Sequence, residues 1–488
     1  MTGPRSVRAG PGVRTFLKAK VFAILKCIMV VKADTASLIR EAYIKKTPTS
    51  AERHTQALKI FPNGVTHVGR FLNPHPIYVD RAQGSRKWDI DGNEYVDYVG
   101  GHGSLILGHA HPAVVEAVSR QVPRGTHYGA QHELELEWAE LIQEMIPCAE
   151  KVRFVSSGTE ATQMALRLAR AYSGKTKFIR FGSHFHGWHD HVAFTAAPPE
   201  VNQPEGIAAS LVDEVIVLPP NDIESVRQVL ADRDDVAAVI LEPTGAGFGH
   251  VPTSGEFLRL LRDVTSEHGV ILIFDEVVTG FRVSTGGAQG HYQVMPDLTT
   301  LAKVVAGGYP GAAVVGRADI IDLLKFVETE GGIASPRVPH QGTFNGYPVG
   351  ATAGITTLKL LKSGDYIARA NESAESIRNG IDDILKKHGA PWCAYGEFSG
   401  VHIFTNPRRQ AVSREDIYAG KVPWNVLAKA TPPELGHKMR QAMIVGGADV
   451  TGWPGGVVSG VHSGQDVDIT LSAFEQAVEM MTEEGEFD

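Results

Sequence analysis

Two ionisable residues, Asp275 and Lys303, each lie in an otherwise apolar stretch of the chain. The run 271–274 is Ile-Leu-Ile-Phe, typical of a buried parallel strand, and it ends in Asp275 and Glu276. Two acids at the carboxyl end of a strand indicate a site. Lys303 enters a run of valine, alanine and glycine with almost no other charge, where a lysine either extends its amine to solvent or is reactive.

A buried carboxylate and a desolvated lysine are the two groups that pyridoxal phosphate (PLP) chemistry requires. Lys303 would form a Schiff base with the cofactor aldehyde, and Asp275 would keep the pyridine nitrogen protonated so that the ring accepts electrons. The simpler alternative is that Asp275 caps the next segment and Lys303 covers an apolar surface. The surrounding motifs favour the catalytic interpretation.

The stretch 273–282, Ile-Phe-Asp-Glu-Val-Val-Thr-Gly-Phe-Arg, and the Gly-Gly-Tyr-Pro-Gly that follows Lys303 resemble the signature of class III PLP-dependent aminotransferases. Within that family the chain is similar to the glutamate-1-semialdehyde aminomutase-like branch and, closer still, to D-phenylglycine aminotransferase. The resemblance runs from about Ala51 to near the C-terminus. It implies an α/β, aspartate aminotransferase-like enzyme of PLP fold type I, with a mainly parallel sheet flanked by helices in a large domain and a smaller α+β domain.

The strand 151–155 runs into Ser-Ser-Gly-Thr at the start of a helix. Small residues there expose free N–H groups, and the helix dipole favours an anion. We therefore expect the cofactor phosphate on Ser157, Gly158 and Thr159. Taken alone, these residues would be an ordinary helix cap, and their position ahead of the acid and the lysine favours the phosphate.

The resemblance implies three contacts with the cofactor ring. Phe185 stands where the family usually has tyrosine, so it would keep the stacking on the pyridine face and lose the hydroxyl. His186 would lie beside the ring, and Val277 would pack on the opposite face.

Further contacts follow from the same resemblance. Glu242, after the buried strand 236–241, would lie near the ring hydroxyl and help to gate the second half-reaction. Thr343, with Gly342, would reach across an interface to the phosphate of a partner chain. The resemblance therefore implies a homodimer with shared sites.

Arg70 is the candidate anchor for a substrate carboxylate. In the resembling enzymes an arginine after the same Pro-x-Gly-Val turn lies near that group, and a guanidinium binds two oxygens at once. An exposed surface arginine is the alternative. His102, His109 and His111 lie close in sequence, but no carboxylate or cysteine joins them at ligand spacing, so we expect no metal site.

The 488 residues, 43% hydrophobic with 52 glycines, indicate a compact two-domain α/β enzyme. We predict residues 34–100 and 346–488 as the small domain and 101–345 as the large, PLP-binding domain. A net charge of -8 offers no polybasic surface, and three scattered cysteines indicate a reducing compartment. We expect a cytoplasmic protein that binds neither nucleic acid nor a membrane.

The N-terminal extension, residues 1–33, is basic, contains no acid and is too interrupted for a transmembrane helix. It is a targeting or interfacial segment, or it reflects an upstream start with translation beginning at Met29. We exclude it from the fold.

We predict an aminotransferase that works by ping-pong through a Schiff base on Lys303, between an amino acid and a 2-oxo acid. The resemblance favours an aromatic or D-configured amino acid. The alternative is the intramolecular transfer of a glutamate-1-semialdehyde 2,1-aminomutase. That branch has a Gln-Phe-Glu-Ala-Gly stretch which helps to retain its intermediate, whereas residues 455–460 here are Gly-Gly-Val-Val-Ser-Gly. A fold relative with a binding or regulatory role is disfavoured by the intact lysine, aspartate and phosphate loop.

Overall fold

The computed structural model describes residues 37–194, 205–329, 332–333, 336–452 and 454–487. The basic extension 1–33 lies outside these residues. Within the described part, no helix has the length and apolar character needed to cross a lipid bilayer.

The strands are β1 Val79–Gln83, β2 Arg86–Asp89, β3 Glu94–Asp97, β4 Lys151–Val155, β5 Lys177–Phe181, β6 Val215–Leu218, β7 Val236–Leu241, β8 Val251–Pro252, β9 Ile271–Glu276, β10 Leu298–Leu301, β11 Ala312–Gly316, β12 Glu328–Thr329, β13 Gly332–Ile333, β14 Cys393–Tyr395, β15 Gly400–Phe404, β16 Ala448–Asp449 and β17 Gly455–Val457. The largest sheet has the order β4-β11-β10-β9-β7-β5-β6, and β11 is antiparallel to both its neighbours while the other strands are parallel. This is the mainly parallel sheet that the sequence predicts.

The longer helices are Leu38–Lys46, Pro48–Ala57, Pro112–Gln121, Glu133–Met145, Gly158–Ser173, Ile223–Asp232, Gly255–Glu267, Pro348–Ser363, Tyr366–Lys387, Pro433–Gly446 and Gly464–Glu483. Shorter α-helical segments are Gly100–Gly103, Ala209–Val212, Ala246–Gly249, Gly287–Tyr292, Ala318–Ile321, Arg414–Tyr418 and Trp424–Ala428. Single 3-10 turns cover Pro62–Gly64, Val68–Arg70, Val122–Arg124, Lys303–Ala306 and Asp322–Leu324.

Helices cover both faces of the large sheet, and β9 shows how the strand divides its side chains between them. Ile271 and Ile273 belong to the core beneath the helix Gly158–Ser173, whereas Leu272 and Phe274 belong to the core beneath Gly255–Glu267. Because successive side chains of a strand point to opposite faces, the residue after Phe274 faces the helix Gly158–Ser173. That residue is the acid Asp275.

The small domain joins the two ends of the described chain. The short strand β16 pairs in parallel with β3, so N-terminal and C-terminal segments share one sheet. Val96 and Tyr98 pack in the same core as Met439 and Phe474 from the C-terminal helices. The predicted small α+β domain, built from both ends of the chain, is confirmed.

The helix Pro348–Ser363 packs away from that domain. Its residues Val349 and Leu358 share a core with Trp138 and Ile142 of the large domain. We therefore propose that the large domain continues through this helix, beyond the boundary at 346 that the sequence suggests.

Candidate active site

The candidate site lies at one edge of the large sheet. Ser157 follows β4, the segment 184–187 follows β5, Glu242 follows β7, Asp275 lies near the end of β9, and Lys303 follows β10. Because these strands are parallel, their carboxyl ends meet at the same edge, where α/β proteins bind ligands.

The carboxylate of Asp275 is buried and held by three donors. Its Oδ1 accepts hydrogen bonds from Thr300 Oγ1 at 3.0 Å and from the backbone N–H of Val277 at 3.2 Å, and its Oδ2 accepts from His186 Nδ1 at 2.7 Å. Thr300 is placed opposite Asp275 by the parallel register of β9 and β10. The carboxylate is therefore fixed in one orientation.

His186 is the supporting residue that the sequence did not identify in this role. Its ring is buried and donates to Asp275, and burial lowers its pKa. The backbone C=O of His186 accepts from Thr162 Oγ1 at 2.6 Å, which ties it to the helix Gly158–Ser173. The pairing joins residues 89 positions apart, so no local sequence pattern reveals it.

Lys303 is the first residue of a 3-10 turn and has a left-handed backbone with φ of 55°. Its neighbours Val304, Val305 and Ala306 are buried. Burial lowers the pKa of the lysine to about 8, although the charges of Asp275 and Glu242 act in the opposite direction. The neutral, nucleophilic form of the amine is therefore more populated near neutral pH than it is for an exposed lysine.

Glu242 is buried beside this lysine. Its Oε1 accepts from the backbone N–H of Phe185 at 2.8 Å, and the N–H of Gly247 lies 3.2 Å and 3.1 Å from its two oxygens. Burial, reinforced by the charge of Asp275, raises its pKa to about 7. Glu242 can therefore gain or lose a proton near neutral pH.

Glu276 does not take part in the site, contrary to the expectation from the paired acids. Its side chain points to the opposite face of β9 and is fully buried. It accepts from Thr279 Oγ1 at 2.9 Å, from the N–H of Ala288 at 2.6 Å and from Gln289 Nε2 at 3.0 Å. Glu276 therefore organises the loop after β9.

The start of the helix Gly158–Ser173, called the cradle below, is where the sequence predicts the cofactor phosphate. Ser157 caps it, with its Oγ accepting from the N–H of Glu160 at 3.2 Å. A Cβ added at Gly158 would lie 3.0 Å from both methyl carbons of Val277, so glycine is needed for this approach. Gly187, with φ of 104°, packs as closely on Thr159, where a Cβ would lie 2.5 Å from its Oγ1.

Phe185 lies at the open side of this cradle. Its side chain is 62% exposed, whereas the adjacent His186 is 1% exposed. Val277 is partly buried against Gly158, at the end of β9. Val277 thus lies next to the start of the helix Gly158–Ser173, and Phe185 precedes His186, whose ring bonds to Asp275.

Arg70 ends the short turn Val68–Arg70 and is exposed. Its guanidinium donates to Thr66 Oγ1 at 2.8 Å. The positive charges of Lys303 and Arg70 both act on His102, whose pKa is lowered to about 4 by burial, by His67 and by these cations. His102 is therefore near both the candidate anchor and the candidate catalytic lysine.

The other two histidines of that stretch have separate partners. His109 Nε2 bonds to Asp97 at 2.7 Å, and His111 Nε2 lies 3.1 Å from the hydroxyl of Tyr366. The absence of a metal stays a prediction.

Gly342 and Thr343 are exposed on the surface of the single chain. The backbone C=O of Thr343 accepts from His127, and the nearby His340 accepts through Nδ1 from Arg153 Nε at 2.8 Å. No hydrogen bond among the described residues connects either Gly342 or Thr343 to the cradle of their own chain.

Arg282, the last residue of the signature stretch, is fully buried and joins three segments. It donates to the C=O of Gly103 at 2.8 Å, to Ser399 Oγ at 3.1 Å and to the C=O of Val458 at 2.9 Å. The signature therefore includes a residue that fastens the glycine-rich loop 100–103 to the small domain.

The residues at this edge fit PLP. An unprotonated amine suits an aldehyde, a buried carboxylate suits a protonated ring nitrogen, and a helix start with no side chain at Gly158 suits a phosphate. An aromatic and an aliphatic side chain, those of Phe185 and Val277, suit the two faces of an aromatic ring.

Comparison with known proteins also indicates a PLP-dependent enzyme. The family described as aminotransferase class-III matches residues 69–421. A glutamate-1-semialdehyde 2,1-aminomutase of Thermodesulfovibrio yellowstonii is 42% identical over 352 residues, 70% of this chain and 81% of the relative. An omega-transaminase structure from Sphaerobacter thermophilus is 30% identical, with a TM-score of 0.79 and coverage of 88% of this chain and 97% of that one. A transaminase solved with PLP bound is 29% identical, with a TM-score of 0.79 and coverage of 90% and 99%.

These likenesses confirm the predicted fold type I architecture, the enzyme class and the cofactor. The chain belongs to the class III aminotransferases, which are PLP-dependent enzymes.

Proposed function

We propose that this enzyme moves an amino group on a substrate that carries a carboxylate. The observation that carries the proposal is the convergence of Lys303 and Asp275 on adjacent strand ends, one with a lowered pKa and the other held by three donors. Bound PLP supplies an aldehyde that accepts amines and a ring that takes up electrons. Lys303 Nζ holds the cofactor and then carries a proton to and from the substrate carbon.

The other residues bind and orient the cofactor and the substrate. Asp275, supported by His186, stabilises positive charge at the ring nitrogen, and the start of the helix Gly158–Ser173 holds the phosphate with Ser157 and Thr159. Phe185 and Val277 pack on the two ring faces, and Glu242 exchanges a proton near the ring hydroxyl. Arg70 binds the substrate carboxylate.

Intramolecular transfer of the glutamate-1-semialdehyde 2,1-aminomutase type is the first candidate reaction. The relative that is 42% identical carries that name, and we therefore place this reaction ahead of the aromatic or D-configured aminotransfer that the sequence favoured. An aminomutase returns the amino group to the same carbon skeleton, so it needs no separate acceptor.

Intermolecular aminotransfer is the second candidate, and the segment 455–460 favours it. The strand β17 in this segment pairs with β15, and Gly456 is so close to Tyr98 that a Cβ there would lie 2.6 Å from the tyrosine Cβ. This stretch is thus part of the small-domain sheet, and it has no glutamate or phenylalanine for the role that the aminomutase stretch performs. An aromatic or D-configured donor belongs to this candidate.

One experiment separates the two reactions. Glutamate-1-semialdehyde is incubated with the cofactor-loaded enzyme without an acceptor, and L- and D-amino acids are then added singly while the absorbance of the bound cofactor is followed. Formation of the 2,1-transfer product by catalytic amounts of enzyme supports the mutase. Conversion of the cofactor to its amino form by one amino acid, reversed by a 2-oxo acid, supports the transaminase. If the wild type shows no more of either response than the Lys303→Ala control, the proposal is contradicted.

We further propose a cytoplasmic homodimer in which Thr343 contacts the phosphate of the partner chain. The exposure of Gly342 and Thr343 on the surface of the single chain supports it. Cys148 and Cys393 are free thiols, in agreement with a reducing compartment.

Complementation tests the shared site. Neither Lys303→Ala nor Thr343→Asp homodimers should be active, but a mixed dimer should regain activity, because one of its sites then combines an intact lysine with an intact threonine. If Thr343 served its own chain, the mixed dimer would stay inactive.

A further inference from the structure

The loop 100–103 holds a histidine in a backbone conformation that favours glycine. Four consecutive residues have positive φ: Gly100 at 50°, Gly101 at 59°, His102 at 57° and Gly103 at 86°. A non-glycine residue in the left-handed region costs about 1–2 kcal/mol. Glycine occupies the other three positions, so the histidine side chain is retained against a local conformational cost, which points to a function for it.

The imidazole of His102 lies against that of His67. The ring centroids are 4.5 Å apart and the planes are tilted by 33°. A Cβ added at Gly69, the residue before Arg70, would lie 3.2 Å from His67 Cε1 and 3.5 Å from His102 Cε1. Both rings therefore pack against the turn that presents Arg70.

The hydrogen bonding of His67 determines which nitrogen carries its proton. Its Nδ1 accepts from the N–H of Gly69 at 3.0 Å. A nitrogen that accepts carries no hydrogen, so the hydrogen of the ring lies on Nε2, which is an N–H donor. His67 and His102 both keep part of their surface exposed in the single chain.

We propose that His67 is a second recognition group for the substrate carboxylate: its Nε2–H donates to the anion that Arg70 binds, and His102 holds the His67 ring in place by stacking. This inference rests on the proposed role of Arg70. The arrangement suits a carboxylate because a guanidinium and one neutral N–H can engage both of its oxygens. Partial burial and the neighbouring positive charges lower the pKa of His102 to about 4, so its ring adds no positive charge beside His67.

The test measures binding of succinate, with succinamide as the uncharged control, to the PLP-loaded dimer by calorimetry. His67→Phe keeps a ring for stacking but removes the donor, and it should weaken succinate binding about tenfold, the range expected for a hydrogen bond to a charged group. His102→Gly removes the stacking ring and relieves the backbone, so it should weaken succinate binding while raising or preserving the thermal midpoint. His102→Phe, which restores the ring, should recover the affinity.

Two outcomes overturn the inference. If Arg70→Ala weakens succinate binding but His67→Phe does not, His67 is not a recognition group, and the role of Arg70 stands. If Arg70→Ala has no effect, or if the wild type binds succinate no better than succinamide, the carboxylate anchor itself fails, and this inference fails with it.

Discussion

The site has a floor, formed by Asp275, His186, Glu242 and Lys303, and a rim, formed by Arg70 and Phe185. The floor is largely buried, and its acids have hydrogen-bond partners from their own chain. The rim is exposed, and its groups border open space. The difference teaches that one chain brings the residues of the floor together by itself, whereas the side chains proposed to bind the substrate lie exposed around it.

The largest effect should come from the floor. Lys303→Ala removes the amine and should reduce turnover by at least about 10³-fold, because the covalent and proton-transfer roles are both lost. Circular dichroism should be unchanged, since alanine keeps the backbone strain of a non-glycine residue at this position. Near-normal turnover would contradict the central claim about the floor.

Asp275→Asn should have the next largest effect on the rate. The amide keeps the shape but not the charge that stabilises the protonated ring nitrogen, so proton abstraction, followed by loss of substrate deuterium, should slow by about 10²-fold. His186→Asn leaves that charge in place and is the matched control, with a loss of about tenfold. An equal loss in both variants would show that Asp275 acts only by its geometry.

Glu242→Gln should change stability in a pH-dependent way. The folded pKa of about 7 lies above the usual 4.5, so the carboxyl favours folding at low pH, and this contribution is lost as pH rises from 4.5 to 7. The difference corresponds to about 3 kcal/mol at most. The free energy of unfolding of the variant minus that of wild type, measured in denaturant, should therefore be more positive at pH 8 than at pH 5. An identical difference at both pH values would contradict the raised pKa.

The smallest effect is expected at the rim. Phe185→Tyr restores the hydroxyl that the family usually has, on an exposed ring that can still stack. We expect turnover within about threefold of wild type, because the aromatic face is unchanged. A gain above tenfold would show that the hydroxyl contributes to the floor.

The sequence predicted the residues of the floor better than it predicted the residues that position them. Apolar strands that end in Asp275, Glu242 and Lys303 are local patterns, and the parallel sheet then brings them to one edge. The bond from His186 to Asp275 and the stacking of His67 on His102 depend on three-dimensional register between distant segments. Glu276 was misjudged because residue type alone does not reveal which face of a strand a side chain occupies.

The alternation of side chains along β9 also limits which sequence changes this enzyme can tolerate. Two acids stand side by side, and the pleat of the strand decides which one faces the helix Gly158–Ser173. Deleting or inserting one residue earlier in β9 would exchange them, turning Glu276 toward that helix and Asp275 toward the loop. Substitutions elsewhere along this strand therefore leave Asp275 on its face of the sheet, whereas a change of length by one residue does not.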